Sequence, residues 1–339
     1  MNQNNNKTGF KEKAVKTALY GVFSLFTLFP HYSLCAAENS SNKEAALPYF
    51  QKLHEELKQT GAKKLTGDLA HYNSSLMADC SLGFPVSTFE VSTLPYGSGA
   101  RCNLYWASVN YSPPLIQGAI VRVLGKNTPD ETKYFLAHEY GHLRYYKENP
   151  TMIKHPNTPN PFIPCTLGVC AGVLAGIAKN FCMGGGQPTR DITVFGCLGY
   201  IAGSLIHLKE MATYSKRWIK EEKAADAYAN EYVCKNGHIN PALAGMHFFL
   251  KEQDDYTKLN LLSRTNCTVN SFLDPKARFA LYPRSIDRAA AIAEAMDKHG
   301  IGLKDTLNNL PENLDANVQK ELPKLTKKYL AHFLDKKRN

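Results

Sequence analysis

The sequence predicts an α+β fold that is mostly helical, with a small β-sheet beside one central helix. The central helix is indicated by TPDETKYFLAHEYGHLRYYKENP at residues 128–150, which has both start and stop signals. Residues 80–124 contain short β-prone pieces, and helical patterning continues from residue 210. A chain of 339 residues that is 44% hydrophobic can bury a substantial core in one or two domains.

The first 37 residues have the layout of a secretory signal peptide. Four lysines precede a short apolar run, ALYGVFSLFTLF (18–29), and small residues follow up to Ala37. The run is too short to span a bilayer comfortably. We therefore expect cleavage after Ala37 and export to the periplasm or outside the cell, with retention as a membrane anchor as the alternative.

The cysteines and the charge give two further expectations. Cysteine spacing in an exported chain favours disulfides between Cys80 and Cys102 and between Cys234 and Cys267, with the other four cysteines paired within 165–197; buried free thiols are the alternative. The net charge is +10, and the basic residues are spread out and densest in the tail, 321–339. They are not interleaved with aromatic residues, so nucleic-acid binding is not expected.

Two glycine-rich apolar stretches lie within residues 151–209. They are PFIPCTLGVCAGVLAGIAK (161–179) and ITVFGCLGYIAGSLIHL (192–208), each with about 17 uncharged residues, the lower limit for a membrane helix. The glycines and cysteines favour a close-packed helical hairpin insert that is soluble or dips into a membrane. Two true membrane spans are the alternative.

The central helix carries the residues of a metal site. His138 and His142 are four residues apart, so they share one helical face, and Glu139 lies beside them. Two imidazoles and a carboxylate suit Zn²⁺, with a fourth position left for water. Zinc lowers the pKa of that water towards about 7, and Glu139 can take its proton as it attacks a carbonyl. We therefore expect one Zn²⁺ per chain.

The third ligand is expected far downstream. Between Glu148 and Glu210 the sequence has a single acid, Asp191, which leaves the helix SKRWIKEEKAADAYANEYV (215–233). Glu222 lies there on a stripe of small residues that faces inward, where an unpaired carboxylate would be costly.

The residues around Glu222 have separate expected roles. Asp226, one turn beyond, can accept the free N–H of a ligand histidine. Glu221 points about 100° away from Glu222 and is expected in solvent.

The motif HEYGH, followed about 80 residues later by EKAAD, resembles the zinc metallopeptidases that include the CAAX prenyl endopeptidases, the HtpX heat-shock protease and periplasmic proteases of the BepA type. Their signature is H-E-x-x-H followed by E-x-x-x-D. The resemblance covers about residues 115–295 and implies a gluzincin-like fold. It implies that His138, His142 and Glu222 bind zinc, that Glu139 is the general base, and that Asp226 supports a ligand.

Two further features follow from the resemblance. The strand at 118–124 falls where family members carry an edge strand that pairs with substrate backbone. In LYPRSIDRAAAI (281–292), Pro283 and Arg288 keep a spacing common in the family, although Tyr282 replaces a histidine. Arg288 or Tyr282 is expected to contact the substrate or the oxyanion, with helix capping and surface packing as the alternative.

The combined expectation is a zinc-dependent endopeptidase that cleaves extended or misfolded polypeptides of the cell envelope with zinc-bound water activated by Glu139. Its domains would be a signal peptide (1–37), an amino-terminal helix and β/loop region (38–116), the peptidase domain with its insert (117–300), and a basic helical tail (301–339). The alternatives are a zinc-holding chaperone or adaptor that rarely cuts, and a membrane-embedded peptidase if 162–208 spans lipid.

Overall fold

The structure is a computed structural model that describes residues 55, 57, 61–92, 100–107, 115–150, 162–183, 187–258 and 283–335. The chain divides into two units, one formed by residues 1–41 and 156–214 and the other by residues 42–155 and 215–339. The predicted signal peptide and most of the helix predicted at 45–61 lie outside the described residues.

The described part of the chain is mostly helical, which confirms the α+β class. Its helices are α1 Gly67–Cys80, α2 Pro129–Glu148, α3 Phe162–Met183, α4 Pro188–Lys235, α5 Ile239–Lys258, α6 Ser285–Lys298, α7 Leu303–Asn308, α8 Ala316–Tyr329 and α9 Ala331–Asp335. Its strands are β1 Lys63–Lys64, β2 Val86–Val91, β3 Ala100–Ala107 and β4 Leu115–Leu124. The sequence analysis made no prediction for α1, whose Tyr72, Leu76 and Cys80 recur every fourth residue and are buried.

The four strands form a mixed sheet in the order β1-β2-β4-β3. β4 pairs in parallel with β2, from Val86 opposite Ala119 to Val91 opposite Leu124, and antiparallel with β3. Both edges of β4 are therefore used, and the expectation that residues 118–124 form an edge strand is wrong. Among the described residues, the outer strand on this side of the sheet is β3. The sequence could not indicate this, because alternation of apolar and polar residues reports which faces of a strand are buried but not which strands pair.

The second unit is built around α2, which begins and ends where the sequence predicted. Thr128 Oγ1 accepts a hydrogen bond from the Glu131 amide at 3.2 Å, and Glu131 Oε2 accepts one from the Thr128 amide at 3.1 Å. The helix ends before Asn149, whose amide donates to the Tyr145 carbonyl. Every residue from 134 to 143 is buried, because the sheet, α1 and α5 all pack against this helix.

The core of this unit joins the inner face of the sheet to the helices. Ala119, Val121 and Val123 of β4 belong to the same buried cluster as Tyr134 of α2 and Phe249 of α5. Helix α5 also packs against α6 and α8, which brings the carboxy-terminal helices into this core.

The first unit contains the predicted helical hairpin, formed by α3 and the first part of α4. Its helices meet backbone to backbone: a Cβ added to Gly172 would lie 2.0 Å from the Phe195 carbonyl oxygen, and one on Gly203 would lie 2.2 Å from that of Pro164. The outer surface is apolar, with side chains such as Leu167 and Leu174 about two-thirds exposed. Two segments, Ile163–Phe181 and Thr189–Lys235, are long and apolar enough to cross a membrane.

The second arm of the hairpin does not end near residue 208. Helix α4 runs for 48 residues to Lys235, so this arm and the predicted distal helix are one element. No proline or glycine interrupts the chain between Gly203 and Gly237, which is why nothing stops the helix.

The predicted disulfide between Cys80 and Cys102 is wrong. Both thiols are free, because they face different partners. Cys80 Sγ donates to the Tyr228 hydroxyl at 3.0 Å, whereas Cys102 on β3 is beside Glu139 of α2. Cys165, Cys170, Cys197 and Cys234 are also free, so the predicted pairing of four cysteines within 165–197 is wrong as well. Cys267, the predicted partner of Cys234, lies outside the described residues.

Candidate metal centre

The candidate site lies where α2 passes close to the final turns of α4. A Cβ placed on Gly141 would be only 2.7 Å from both the Cα and the carbonyl oxygen of Ala225. Ala225 and Ala229 are fully buried. Small residues on both helices thus allow side chains from 84 residues apart in sequence, His138 and Glu222, to reach each other.

His138, His142 and Glu222 converge into one buried cluster whose donor atoms all lie within 4.8 Å of one another. The two Nε2 atoms are 3.1 Å apart. Glu222 Oε2 is 3.3 Å from His138 Nε2, and its Oε1 is 3.5 Å from His142 Nε2. The structure therefore brings together the three residues predicted to bind metal.

Each imidazole has its own supporting carboxylate. His138 Nδ1 is 2.9 Å from Asp226 Oδ1, and His142 Nδ1 is 2.9 Å from Glu221 Oε1. A carboxylate beside Nδ1 favours the tautomer that carries its proton there, and this leaves the Nε2 lone pair free to bind a metal. Both rings therefore direct their Nε2 atoms towards the same point.

Asp226 is held in turn by Arg288. Arg288 Nε and Nη2 donate to the two Asp226 oxygens at 2.8 and 2.6 Å, and its guanidinium lies over the Phe249 ring, 4.2 Å from the centroid. Arg288 Nη2 is also 3.7 Å from Glu222 Oε2. The contacts of Arg288 are thus to the carboxylates of the cluster, so its predicted contact with substrate stays a prediction.

The cluster stabilises positive charge at the imidazoles. Burial alone would lower the pKa of His138, but the carboxylates of Asp226 and Glu222 raise it to about 10. Burial likewise lowers the pKa of His142, yet Glu222 and Glu221 raise it and the net shift is upward. Burial would raise the pKa values of Glu222 and Asp226, and the neighbouring cationic groups lower both.

The geometry and charge fit a divalent cation. Tetrahedral ligands at about 2.0–2.1 Å from zinc are about 3.3 Å from one another. The two Nε2 atoms are 3.1 Å apart, and each lies 3.3 or 3.5 Å from a different oxygen of the Glu222 carboxylate. Glu222 Oε2 is buried with no hydrogen-bond donor among the described residues. The carboxylates of Glu221, Glu222 and Asp226 outnumber the Arg288 cation, so with neutral imidazoles the surroundings of the two rings are net negative, which favours a bound cation.

Glu139, the predicted general base, is buried on α2 next to His138. Its carboxylate adjoins the Cys102 thiol of β3, and burial followed by this negative charge raises the pKa of that thiol well above its usual value. Glu139 therefore joins the histidine-bearing part of α2 to strand β3.

The prediction that Glu221 lies in solvent is wrong, and Tyr146 was not among the residues predicted from the sequence. Glu221 is 4% exposed and contacts His142 instead of solvent. Two successive turns of α4 face the two histidines, so that Asp226 contacts His138 and Glu221 contacts His142. The spacing of Tyr146, one turn after His142, was the available signal that this side chain lies on the same face. Tyr282 lies outside the described residues, so its predicted role remains a prediction.

Comparisons with protein-family models, with curated proteins and with solved structures found no match.

Proposed function

We propose that this protein is a zinc-dependent endopeptidase. The observation that carries the proposal is the cluster of His138, His142 and Glu222, with Glu139 on the same helix as the two histidines. A bound zinc ion would act as a Lewis acid and lower the pKa of water at the site. The pairing of H-E-x-x-H with E-x-x-x-D in one buried cluster supports the resemblance to the gluzincin-like CAAX endopeptidase, HtpX and BepA-type peptidases.

The proton transfers are assigned to Glu139. In this proposal its carboxylate accepts a proton from the attacking water and returns it to the leaving amine of the cleaved peptide. Its burial keeps bulk water from competing for that proton. Asp226 and Arg288 have a different task, since they keep the His138 ring in place.

The proposed substrate is an extended segment of a polypeptide. β3 is the outer strand of the sheet on this side, and its Cys102 adjoins Glu139. An outer strand has an unpaired row of backbone donors and acceptors to which an extended peptide can add as a further strand. Such binding recognises the backbone of the peptide more than its side chains. It therefore suits unfolded envelope polypeptides, whose backbones are accessible.

Replacing Glu139 with glutamine tests the peptidase proposal. We expect zinc-loaded wild-type protein to cleave casein and Glu139→Gln to lose at least about 100-fold of that activity, while both bind zinc equally. Glu148→Gln, an exposed carboxylate on the same helix, is the matched control.

The rival function is a zinc-holding adaptor, which the burial of the cluster favours because all three ligands are below 9% exposed. Prevention of client aggregation by wild type and Glu139→Gln alike, with no cleavage by either, would favour the adaptor and refute the peptidase.

A membrane-embedded form of the peptidase is a second candidate, favoured by the outer surface of the hairpin. Ten large apolar side chains there are 48–66% exposed, and helix α3, with 22 residues, is about 33 Å long, close to the roughly 30 Å of a bilayer core. We expect the protein to stay with membranes after carbonate extraction. Full release of the protein into the soluble fraction would favour the soluble enzyme.

A further inference from the structure

Helices α2 and α4 present their residues to each other in opposite order. The earlier histidine of α2, His138, contacts the later acid of α4, Asp226, and the later histidine, His142, contacts the earlier acid, Glu221. Glu222 lies between the two pairs and approaches both Nε2 atoms. Each imidazole thus has a separate carboxylate on its Nδ1 side.

The second of these pairs extends outward to Tyr146. The Tyr146 hydroxyl donates a hydrogen bond to Glu221 Oε1 at 2.6 Å, and the same oxygen is 2.9 Å from His142 Nδ1. Tyr146 and His142 are one turn apart on α2, so both reach the Glu221 carboxylate from the same helical face. Two side chains of one helix therefore hold the same oxygen of the Glu221 carboxylate.

We propose that Glu221 and Tyr146 are positioning residues of the metal centre. Glu221 orients the His142 ring and keeps its proton on Nδ1, and Tyr146 acts through Glu221 by fixing the carboxylate. The family signature assigns no role to either residue. This inference rests on the metal centre of the proposed function, but not on peptide hydrolysis.

The positioning roles follow from the free-energy cost of fixing the orientation and tautomer of the His142 ring when a metal binds. His142 without a partner on Nδ1 can rotate and exchange tautomers, and each wrong tautomer places a proton on the atom that must bind metal. A carboxylate on the far side of the ring removes that tautomer and makes Nε2 a stronger donor, and loss of such partners typically weakens metal binding by about 10–100-fold.

The experiment measures Zn²⁺ affinity of the full-length protein by competition with a chromogenic chelator. We expect Glu221→Gln to bind Zn²⁺ about 10–100-fold more weakly than wild type, and Tyr146→Phe to show a smaller loss. Because Tyr146 acts through Glu221, the double variant should bind no more weakly than Glu221→Gln alone. Visible absorption of the Co²⁺-substituted protein should change in both single variants, since it reports ligand geometry at the metal.

Glu148→Gln is the matched control, because Glu148 is an exposed α2 carboxylate paired with Arg144; its Zn²⁺ affinity and Co²⁺ spectrum should equal those of wild type. If Glu221→Gln is unfolded by circular dichroism, Tyr146→Phe decides the question, since it removes a single hydroxyl. Wild-type affinity and spectrum in both single variants would overturn the positioning roles. Additive losses in the double variant would overturn the action of Tyr146 through Glu221.

The two proposals fail in different ways. Absence of Zn²⁺ binding by wild-type protein would remove the metal centre and the positioning roles together. Tight binding by wild type with unaltered variants would remove the positioning roles alone and leave the proposed function in place.

Discussion

Gly141 lies between the two ligand histidines, and replacing it with alanine tests the close approach of α2 and α4. The new Cβ would lie 2.7 Å from the Cα and carbonyl oxygen of Ala225. Ordinary carbon contacts begin near 3.5 Å, so the helices must separate by about 0.8 Å. Backbone atoms cannot escape by changing rotamer, and overpacking of this kind costs about 1–3 kcal/mol.

The substitution also has a favourable effect on helix propensity, so the sign of the change in the free energy of unfolding shows whether overpacking is present. Alanine stabilises a helix interior by about 1 kcal/mol relative to glycine, so the free energy of unfolding should fall by a net of about 0–2 kcal/mol. The separation would also widen the 3.3 and 3.5 Å contacts from Glu222 to the histidines. We therefore expect at least about tenfold weaker Zn²⁺ binding.

Urea unfolding without metal and chelator competition for Zn²⁺ measure the two effects of Gly141→Ala. The matched control is Gly125→Ala, whose Cβ would meet the flexible end of the Glu90 side chain at 2.6 Å and should leave Zn²⁺ affinity unchanged. A Gly141→Ala protein with higher stability and wild-type Zn²⁺ affinity would refute the close approach of the two helices.

Three further predictions concern charge and metal. Asp226→Asn leaves the buried Arg288 guanidinium facing a neutral amide, so urea unfolding of the metal-free protein should show a loss of about 3–5 kcal/mol. Removal of zinc by a chelator should lower the melting temperature in calorimetry, because zinc present at about 100 times its dissociation constant contributes about 2.7 kcal/mol. Hydrogen bonds from Lys258 and Lys328 lower the pKa of Asp254, so its contribution to stability is present above the unfolded pKa of about 3.9. This contribution is lost as the pH falls towards the lower folded value. The stability difference between wild type and Asp254→Asn, at most about 1 kcal/mol at neutral pH, should therefore shrink in urea titrations below about pH 4.

Each of these predictions has a control and a contradicting result. Asp287→Asn removes the exposed partner of Arg284 and should cost well under about 1 kcal/mol; an equal loss in Asp226→Asn would contradict the buried pair. An unchanged melting temperature after chelation, in protein shown to contain zinc, would contradict the coupling of metal to folding. The control for Asp254→Asn is Asp255→Asn, because Asp255 is the exposed neighbour of Asp254. A stability difference between wild type and Asp254→Asn that does not change with pH would contradict the lowered pKa of Asp254.

Helix α2 and the face that carries its two histidines could be predicted because their signals are local. The capping box of Thr128 and Glu131 lies within four residues, and the spacing of His138 and His142 follows from the period of one helix. Glu222 could be identified for a related reason. A carboxylate on a stripe of alanines has a burial cost that only a cationic partner offsets, and that cost can be read from the sequence.

The strand order and the contacts of Glu221 could not be predicted, because they depend on which helices and strands pack against each other. The order of the sheet, with β4 between β2 and β3, includes a parallel pairing of β2 with β4 between residues 33 positions apart in sequence, which has no local signal. Glu221 is adjacent to Glu222, so helical geometry alone places its side chain about 100° around the helix axis from that of Glu222. It reaches His142 because α4 runs opposite to α2, which no residue of α4 encodes by itself.

The sequence alone thus determined the capped helix, the ligand types and their spacing, since these depend on backbone periodicity and on the chemistry of single side chains. The tertiary structure decided the partners: the carboxylate behind each imidazole, the Arg288 guanidinium on Asp226, the free thiols of Cys80 and Cys102, and which of the described strands lies at the edge of the sheet. The physical reason is that a contact between distant segments depends on the packing of the whole core, and the Gly141–Ala225 approach brings these segments together.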